Sequence, residues 1–327
     1  MKDFRVGIIG VNFASKVHVP SLLKTRGFKI VGLCSKNAIN AKKIKKKIKL
    51  DCEIFNNPNE LIQSRDVDLV DIVTPPKFHA TLVKKSLQNK KNIICEKPFG
   101  LSFNDLKSLD FNFTEKAFIN YLFRTEKLIR ILKKKIEDDQ IGALNKININ
   151  WNFSSKNKAS WKKNEKNGGN IVDDVFSHVL DYLFFLTNNT NLEIKKFKYT
   201  RKKVNDILQE VIDGTVFFEG TEVNIKIKKN IESENKHTIK IFGAIRNVCI
   251  SYYAPFTPLD KNMIVEKNGL IEEIINEDSS NSVYDDRIIS FCNLLTEFKK
   301  RNPKNLCHLK FGAYTRFHLD RFVKYVY

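Results

Sequence analysis

Arg5-Val6-Gly7-Ile8-Ile9-Gly10-Val11-Asn12-Phe13-Ala14-Ser15 is the stretch that decides the fold. Its apolar run predicts a strand that turns at Gly10 into the start of a helix, which is the setting of a dinucleotide fingerprint, G-x-G-x-x-G. The three fingerprint positions fall on Gly10, Asn12 and Ser15, so only the glycine that permits the tight turn is present. Asn is among the few other residues that tolerate a positive φ, and Ser is small enough for the helix to pack on the strand.

This strand and turn predict a site for the pyrophosphate of a nicotinamide dinucleotide, because backbone N–H groups at a helix start point at phosphates. A strand, turn and helix that bind no ligand are the alternative that the motif alone leaves open. The predicted cofactor contacts in the turn are Gly10, Asn12, Phe13 and Ala14.

The end of the second predicted strand bears on the type of dinucleotide. An NAD-selective site usually has Asp or Glu about 20 residues after the glycines, where it holds the ribose 2′-hydroxyl. This chain reads Leu33-Cys34-Ser35-Lys36-Asn37 there, so no carboxylate would repel a 2′-phosphate. Ser35 and Lys36 can bind such a phosphate, which favours NADP over NAD.

Short apolar runs alternate with helical patterns through the first third of the chain, as parallel strands joined by crossover helices do. We therefore predict an α/β dinucleotide-binding domain over residues 1–121, folded as a doubly wound parallel (Rossmann) sheet. The predicted strands are Arg5 to Ile9, Lys29 to Cys34, Cys52 to Phe55, Leu69 to Val73, Asn92 to Cys95 and Ala117 to Tyr121. The predicted helices are Ser15 to Thr25, Ala38 to Lys49, His79 to Gln88 and Ser102 to Leu109.

After Tyr121 the pattern changes to the two-residue period of antiparallel strands. We predict an α+β domain over residues 122–327 with a large, mostly antiparallel open sheet. The predicted strands are Ile147 to Phe153, Glu193 to Tyr199, Val211 to Phe218, Glu222 to Lys228, Thr238 to Phe242 and Val248 to Tyr252. The predicted helices are Glu126 to Asp138, Tyr284 to Lys299 and Phe311 to Tyr325, and Ser154 to Gly169 is predicted to be a long loop beside the site.

The net charge of +20 is spread along the chain, with Lys in large excess over Arg. It indicates a compositional bias rather than a basic patch, so we expect no nucleic-acid partner. No apolar run approaches the roughly 20 residues that cross a bilayer, and no signal-peptide core precedes the first strand pattern. We therefore expect a cytoplasmic protein without a membrane partner. The cysteines lack the spacing of a zinc site, and no metal is expected.

Two motifs follow predicted strands: Thr74-Pro75-Pro76 with His79 after the fourth, and Glu96-Lys97-Pro98 after the fifth. In this order and context they resemble motifs of the glucose-fructose oxidoreductase and inositol dehydrogenase (Gfo/Idh/MocA) family. The resemblance covers nearly the whole chain. Further matching segments are His18-Val19-Pro20, Asn120-Tyr121-Leu122-Phe123-Arg124, Ile141-Gly142, and Gly168-Gly169 with Asp174, Ser177, His178 and Asp181.

The resemblance implies an NAD(P)-dependent dehydrogenase or reductase that acts on a hydroxyl or ketone of a sugar, sugar derivative or cyclitol. It implies a cis peptide bond before Pro98. It also implies that the domain over residues 122–327 binds substrate and forms oligomers, so that the protein assembles as a homodimer or homotetramer. The implied cofactor contacts are Thr74, Pro75, His79, Glu96 and Lys97, and the implied substrate contacts are Lys97, Arg124, Asp174 and His178.

Lys97 follows a parallel strand, at the sheet edge where ligands of open α/β sheets bind. Its ammonium can donate to a substrate hydroxyl and lower the pKa of that hydroxyl as hydride leaves the adjacent carbon. Asp174, His178 and Asp181 are four and three residues apart, so they share one face of a helix predicted over Asn170 to Leu186. An imidazole there can take the hydroxyl proton, although spacing alone favours a structural histidine. The resemblance favours catalytic roles for Lys97, His178 and Asp174.

Phe176 stands where the family usually has Gly, which predicts a narrower site or a reshaped helix. Two other functions stay open at this stage. One is a ligand sensor without turnover, as in the galactose-pathway repressor, which resembles this family. The other is a redox-assisted glycosidase that retains its cofactor. The presence of Lys97 and His178 favours the enzyme over the sensor.

Overall fold

Strands and helices alternate through residues 3–125, as the sequence predicts. The strands are rich in Val, Ile, Leu and Phe, which suit a sheet buried on both faces. They are β1 (Phe4–Ile9), β2 (Phe28–Cys34), β3 (Glu53–Phe55), β4 (Leu69–Ile72), β5 (Asn92–Glu96) and β6 (Ala117–Asn120). The helices are α1 (His18–Lys24), α2 (Ala38–Ile48), α3 (Pro58–Gln63) and α4 (His79–Gln88), with 3₁₀ turns at Pro76–Phe78, Phe103–Leu106 and Leu122–Thr125.

Long strands with alternating burial dominate the next part of the chain. Two helical elements precede or interrupt them: α5 (Lys127–Glu137), and a π-helical segment (Val172–Phe176) that runs directly into α6 (Ser177–Thr187). The strands are β7 (Leu144–Phe153), β8 (Glu193–Val204), β9 (Ile207–Phe218), β10 (Thr221–Lys229), β11 (Lys236–Gly243), β12 (Asn247–Tyr253), β13 (Lys261–Lys267) and β14 (Leu270–Glu277). The last elements are α7 (Asp286–Phe298), β15 (Cys307–His308) and α8 (Leu309–Lys324).

The computed structural model describes residues 3–154, 169–231, 235–253, 261–277 and 285–324, and these form two compact units. The first unit comprises residues 3–125 and 287–317. The second comprises the described residues from 126 to 286 together with 318–324. The first unit thus includes a late segment of the chain, and the division between residues 121 and 122 stays a prediction. Within the described ranges, no helix has the length and apolar character needed to span a membrane.

The first unit contains a seven-stranded sheet in the order β15-β6-β5-β4-β1-β2-β3. Every neighbouring pair is parallel except β15 with β6. This confirms the doubly wound sheet. The strand order reverses between β1 and β4, and in such sheets ligands bind in the crevice at the carboxyl ends of the strands beside this point. Gly10 follows β1 and Val73 follows β4, so both lie at that crevice.

The second unit contains an eight-stranded sheet in the order β14-β13-β12-β11-β7-β10-β9-β8. Only β7 with β10 is a parallel pair, which confirms a large, mostly antiparallel sheet. Ile147, Ile149 and Trp151 alternate along β7 with more exposed residues and are 0 to 1% exposed, so one face of this central strand supports the core.

Several element predictions differ from the structure. Helix α1 begins at His18 rather than Ser15, because the hydroxyl and N–H of Ser15 bond to the carbonyls of Asn12 and Val11 in tight turns. The predicted helix from Ser102 to Leu109 is only the 3₁₀ turn at Phe103–Leu106. A capping box between Ser102 and Asp105 starts this turn without an α-helix following.

The sequence analysis missed four elements, namely α3, β13, β14 and β15. Parts of three predicted elements lie outside the described residues: 155–168 of the predicted loop, Tyr284 and Tyr325.

Gly10 has a φ of +96°, and a Cβ added to it would lie 2.3 Å from the carbonyl oxygen of Val73. We expect Gly10→Ala to lower the free energy of unfolding strongly, because positive φ and backbone overlap act together. The matched control is Gly220→Ala in the β9–β10 turn, where φ is +89° but nothing lies within 4 Å of the added Cβ. The control should lose roughly 1 kcal/mol in denaturant unfolding. Equal losses in the two variants would show that the contact with Val73 has no energetic weight.

Candidate functional site

The turn after β1 presents backbone donors at the crevice. The N–H groups of Asn12, Phe13 and Ala14 donate no hydrogen bond to any described residue. Asn12 is not among the described non-glycine residues with positive φ, so the tolerance of Asn for that conformation is not used here. The hydroxyl of Thr74, which follows β4, is buried without a hydrogen-bond partner. Buried polar groups normally have partners, so these donors fit the phosphates of a dinucleotide.

The end of β2 is open to solvent. Ser35 is half-buried and Lys36 is exposed. The side chain of Asn37 is already engaged, since its Oδ1 accepts the Ile39 N–H at 2.9 Å and caps α2. Ser35 and Lys36 are therefore the side chains at this position that can meet a ribose 2′ substituent.

Lys97 lies directly after β5 and is half-buried. The peptide bond between Lys97 and Pro98 is cis, which confirms the bond expected from the resemblance. The Lys97 N–H donates to Oε2 of Glu96 at 3.2 Å. The backbone of the lysine is thus held by the side chain of the preceding residue.

Beneath this lysine lies a buried charged network that the sequence analysis did not identify. His18 is 0% exposed, with Nδ1 2.9 Å from Asp71 Oδ2 and Nε2 3.0 Å from Glu96 Oε1. Asn120 donates to the same Glu96 oxygen at 2.5 Å. Two features pointed to the network: the H-x-P motif at His18, and a carboxylate at Asp71 inside an otherwise apolar strand.

The network shifts the pKa values of its members. Burial lowers the pKa of His18, but the charges and hydrogen bonds of Asp71 and Glu96 outweigh it and raise the pKa to about 9. Burial raises the pKa of Asp71 against the opposing effect of His18. For Glu96, burial is opposed by hydrogen bonds and charges from His18, Lys97 and Asn120, and the pKa is lowered. The geometry therefore corresponds to an imidazolium between two carboxylates.

His79 has both ring nitrogens against backbone carbonyls, Nδ1 at 2.8 Å from Pro98 O and Nε2 at 2.7 Å from Thr74 O. Burial lowers its pKa, and a neutral ring can donate to only one of the two carbonyls at a time. The His79 ring therefore bridges the backbone after β4 and the backbone after β5, and it contacts both the Thr-Pro-Pro and the Glu-Lys-Pro motifs. Direct contact with the cofactor stays a prediction, as it does for Pro75.

Arg124 is 4% exposed and packs within the first unit. Its Nη1 lies 3.5 Å from Leu306 O, and its guanidinium lies 5.6 Å from the centre of the Phe311 ring. These contacts describe a structural role, and the predicted substrate contact stays a prediction.

In the second unit, the predicted catalytic helix is not a uniform α-helix. Residues 172–176 are π-helical, with the Ser177 N–H bonded back to Val172 O. Such segments turn residues relative to α-helical spacing and are frequent at functional sites. Asp174 lies in the π segment and is half-buried, while His178 and Asp181 lie in α6 and are 5% and 0% exposed.

Phe176 is fully buried against Phe322 and Phe197, with ring centroids 4.8 and 5.6 Å away. Its ring belongs to this aromatic cluster. Both outcomes predicted for this residue, a narrower site and a reshaped helix, stay predictions.

The start of this helix is anchored by a buried ion cluster. Glu210 on β9 is 0% exposed and accepts the Ile171 N–H at 3.1 Å. Tyr199 donates to Glu210 at 2.6 Å, and Lys229 pairs with its second oxygen. The cluster therefore ties β8, β9 and β10 to the first residue of the segment that carries Asp174 and His178.

Behind His178 lies a stack of buried rings. The Trp151 ring lies 6.5 Å from His178 and is stacked on His237 at 4.1 Å with a 10° interplanar angle. Burial lowers the pKa of His237 to about 3, so this ring is neutral. It is 3.2 Å from the Tyr182 hydroxyl, one turn after His178. The Trp151 ring and the neutral His237 ring therefore form an uncharged stack on this side of His178.

Comparison with known proteins agrees with this architecture. The family model described as "Oxidoreductase family, NAD-binding Rossmann fold" matches residues 4–118, and the "GFO/IDH/MocA C-terminal domain" model matches residues 129–245. The chain belongs to the Gfo/Idh/MocA family. The resemblance inferred from the short motifs is thereby confirmed.

Among Gfo/Idh/MocA relatives, the glucose-6-phosphate 3-dehydrogenase of Bacillus subtilis is 26% identical over 59% of this chain and 60% of its own length. The matches to the first curated relatives span 36 to 66% of their lengths. Two solved structures show the same fold at low identity. The 3-ketoreductase KijD10 from Actinomadura kijaniata, complexed with NADP and TDP-benzene, has a TM-score of 0.78 at 14% identity and covers 99% of this chain and 98% of its own. A super-repressor mutant of Gal80p from Saccharomyces cerevisiae has a TM-score of 0.82 at 16% identity, with 99% and 96% coverage.

We expect Glu210→Gln to lower the free energy of unfolding by about 3 kcal/mol, because it leaves Lys229 charged and buried without its carboxylate. The matched control is Glu222→Gln, which removes the partner of Lys146 from an exposed cross-strand pair and should change stability little. Denaturant unfolding of both variants compares the two pairs. Similar losses of unfolding free energy in the two variants would show that burial does not make the Glu210 pair more stabilising than the Glu222 pair.

Proposed function

We propose that this chain is an NAD(P)-dependent dehydrogenase or reductase acting on a hydroxyl or ketone carbon of a sugar, sugar derivative or cyclitol. One observation carries the proposal. This member of the family has hydrogen-bond donors for phosphates at the sheet crevice, and it also has Lys97 and His178. The named activity of the Bacillus relative and the name of the Actinomadura ketoreductase support the same class. A bound dinucleotide would accept or supply the hydride.

The residues of the chain would act on the substrate oxygen. The Lys97 ammonium donates a hydrogen bond to that oxygen and stabilises the negative charge that develops on it during oxidation. The His178 imidazole takes the hydroxyl proton, and returns it in the reduction direction. Asp174 orients the substrate or the imidazole, and Asp181 fixes the tautomer from the next turn.

The cofactor would be held mainly by backbone groups. Gly10 allows the close turn, and the N–H groups of Asn12, Phe13 and Ala14 donate to the phosphates. Thr74 donates its unpartnered hydroxyl. Ser35 and Lys36 would bind a 2′-phosphate, which favours NADP.

We also propose a cytoplasmic homo-oligomer that forms through the sheet of the second unit. Strand β14 lies at the edge of this sheet, where Leu270, Ile271 and Ile274 are 74%, 56% and 54% exposed. Exposed apolar groups of this kind mark interaction surfaces. Sedimentation analysis should give a dimer or tetramer, and a monomer at micromolar concentration would contradict the proposal.

We expect His178→Asn to abolish turnover while NADPH affinity stays within a few-fold, because the residue serves the proton step. The substrate for this assay is first identified by screening free and nucleotide-linked sugars with both cofactors, with nicotinamide absorbance as the readout. The control is His308→Asn, a half-buried histidine stacked on Phe113. Unchanged turnover in His178→Asn would remove the residue from the mechanism. Dinucleotide binding without turnover of any sugar would indicate the sensor instead, and release of a free sugar without net nicotinamide change would indicate the glycosidase.

We expect NADPH to bind more tightly than NADH, and Lys36→Ser to weaken NADPH at least fivefold while NADH affinity stays unchanged. The reason is that the ammonium of Lys36 is attracted to a 2′-phosphate but not to a 2′-hydroxyl. Lys47→Ser removes the same charge farther along the exposed face of α2 and serves as the control. Fluorescence titration measures all four affinities, and tighter binding of NADH would refute the role of Lys36.

A further inference from the structure

The His18 ring lies with each of its two nitrogens facing a carboxylate. It is fully buried, and its two neighbours at 2.9 and 3.0 Å are the carboxylates Asp71 and Glu96. Ionised carboxylates only accept hydrogen bonds, and a neutral imidazole has a single N–H donor. An imidazolium satisfies both contacts and places a positive charge between the two negative ones.

We propose that His18 is a positioning residue for Lys97: as an imidazolium clamped between Asp71 and Glu96, it fixes the Glu96 carboxylate that holds the lysine. The inference deepens the proposed function, on which the catalytic role of Lys97 rests.

The path from the ring to the lysine is short. Glu96 Oε1 accepts from His18 and from Asn120, and Oε2 accepts the Lys97 N–H. With both oxygens engaged, the carboxylate has one orientation. The same ring also connects Glu96 and Lys97 to the turn after β1, because Phe13 of that turn lies edge-on to His18 with the ring centres 5.7 Å apart.

Helix α7 closes the other side of the ring. Phe291 lies 4.1 Å from His18, centre to centre, and has no charge. Among the described residues, the charged side chains that lie against the ring are Asp71 of β4 and Glu96 of β5. Two further charged groups lie next to its neighbours: Lys97 follows Glu96 in the chain, and the guanidinium of Arg287 in α7 lies over Phe13.

The sign of the pH dependence follows from the raised pKa. The His18 pKa is about 9 in the folded protein against an ordinary value of 6.5. The imidazolium is therefore present throughout the neutral range, and its effect on Lys97 is lost as the pH rises through about 9.

The first test measures protonation directly. In ¹H–¹⁵N spectra of protein labelled in the histidine rings, with the signal assigned by its loss in His18→Gln, we expect an imidazolium at pH 7.5 that titrates near pH 9. His237 should be neutral in the same spectra. A neutral His18 ring at pH 7.5 would overturn the proposal, and this measurement uses the unaltered protein.

The second test measures Lys97 itself. Its acetylation rate with acetic anhydride is read by peptide mass spectrometry relative to the exposed Lys47 and Lys84. We expect this relative Lys97 rate to differ at least threefold between His18→Gln and wild type at pH 7.5. The two rates should converge at pH 10, where His18 has lost its charge. Phe291→Leu alters packing on the ring and should match wild type at both pH values.

Equal Lys97 rates at pH 7.5, or a difference that persists at pH 10, would overturn the proposal, since a purely structural effect does not follow the charge of His18. The double variant His18→Gln/Asp71→Asn removes one buried negative charge together with the positive one. At pH 7.5, the Lys97 acetylation rate of this double variant should return at least half of the way from the rate of His18→Gln to that of wild type. Neither test needs a substrate, so absence of turnover would refute the proposed function alone, and a negative result here would leave that function standing.

Discussion

The close approach of the chain at the end of β1 to the end of β4 is the constraint on which the rest of the first unit depends. The two strands are parallel neighbours, and the Gly10 Cα faces the Val73 carbonyl at a distance that leaves no room for a Cβ. The strand order reverses here, so the N–H groups of residues 12–14 after β1 and the Thr74 hydroxyl after β4 both follow strands that end at this crevice. The missing side chain of Gly10 thus permits the close packing of the two strand ends, beside which the proposed cofactor site lies.

Buried charge is the second organising feature, and in both units it is paired. Isolated ions are costly to bury, whereas hydrogen-bonded opposite charges offset much of that cost. In the first unit, His18 lies between Asp71 and Glu96 below the lysine. In the second, Glu210 accepts hydrogen bonds from Ile171, Tyr199 and Lys229 at the start of the helical segment that carries Asp174 and His178. Each cluster lies next to residues that we propose to be catalytic.

The predictions from sequence were correct mainly for features that depend on residues close together in the chain. Strand and helix patterns located the doubly wound sheet, and the short motifs located the residues near its carboxyl edge. The hairpin of β13 and β14 was missed although Asn268-Gly269, with φ of +52° and +79°, is the pattern of a tight two-residue turn. The π segment before α6 could not be predicted, because α and π turns differ by only one residue of hydrogen-bond spacing, and the residue pattern does not distinguish them.

By itself the sequence determined the family, the order of the elements and the residue types at the crevice, because these follow from short-range periodicity, turn chemistry and motif spacing. Only the tertiary structure decided that His18, Asp71, Glu96 and Asn120 form one network and that Phe176 belongs to the core. Residues so far apart in the chain meet only when strands pair in a particular register. The protonation of His18, and with it the placement of Lys97, is a product of that register and of the exclusion of water.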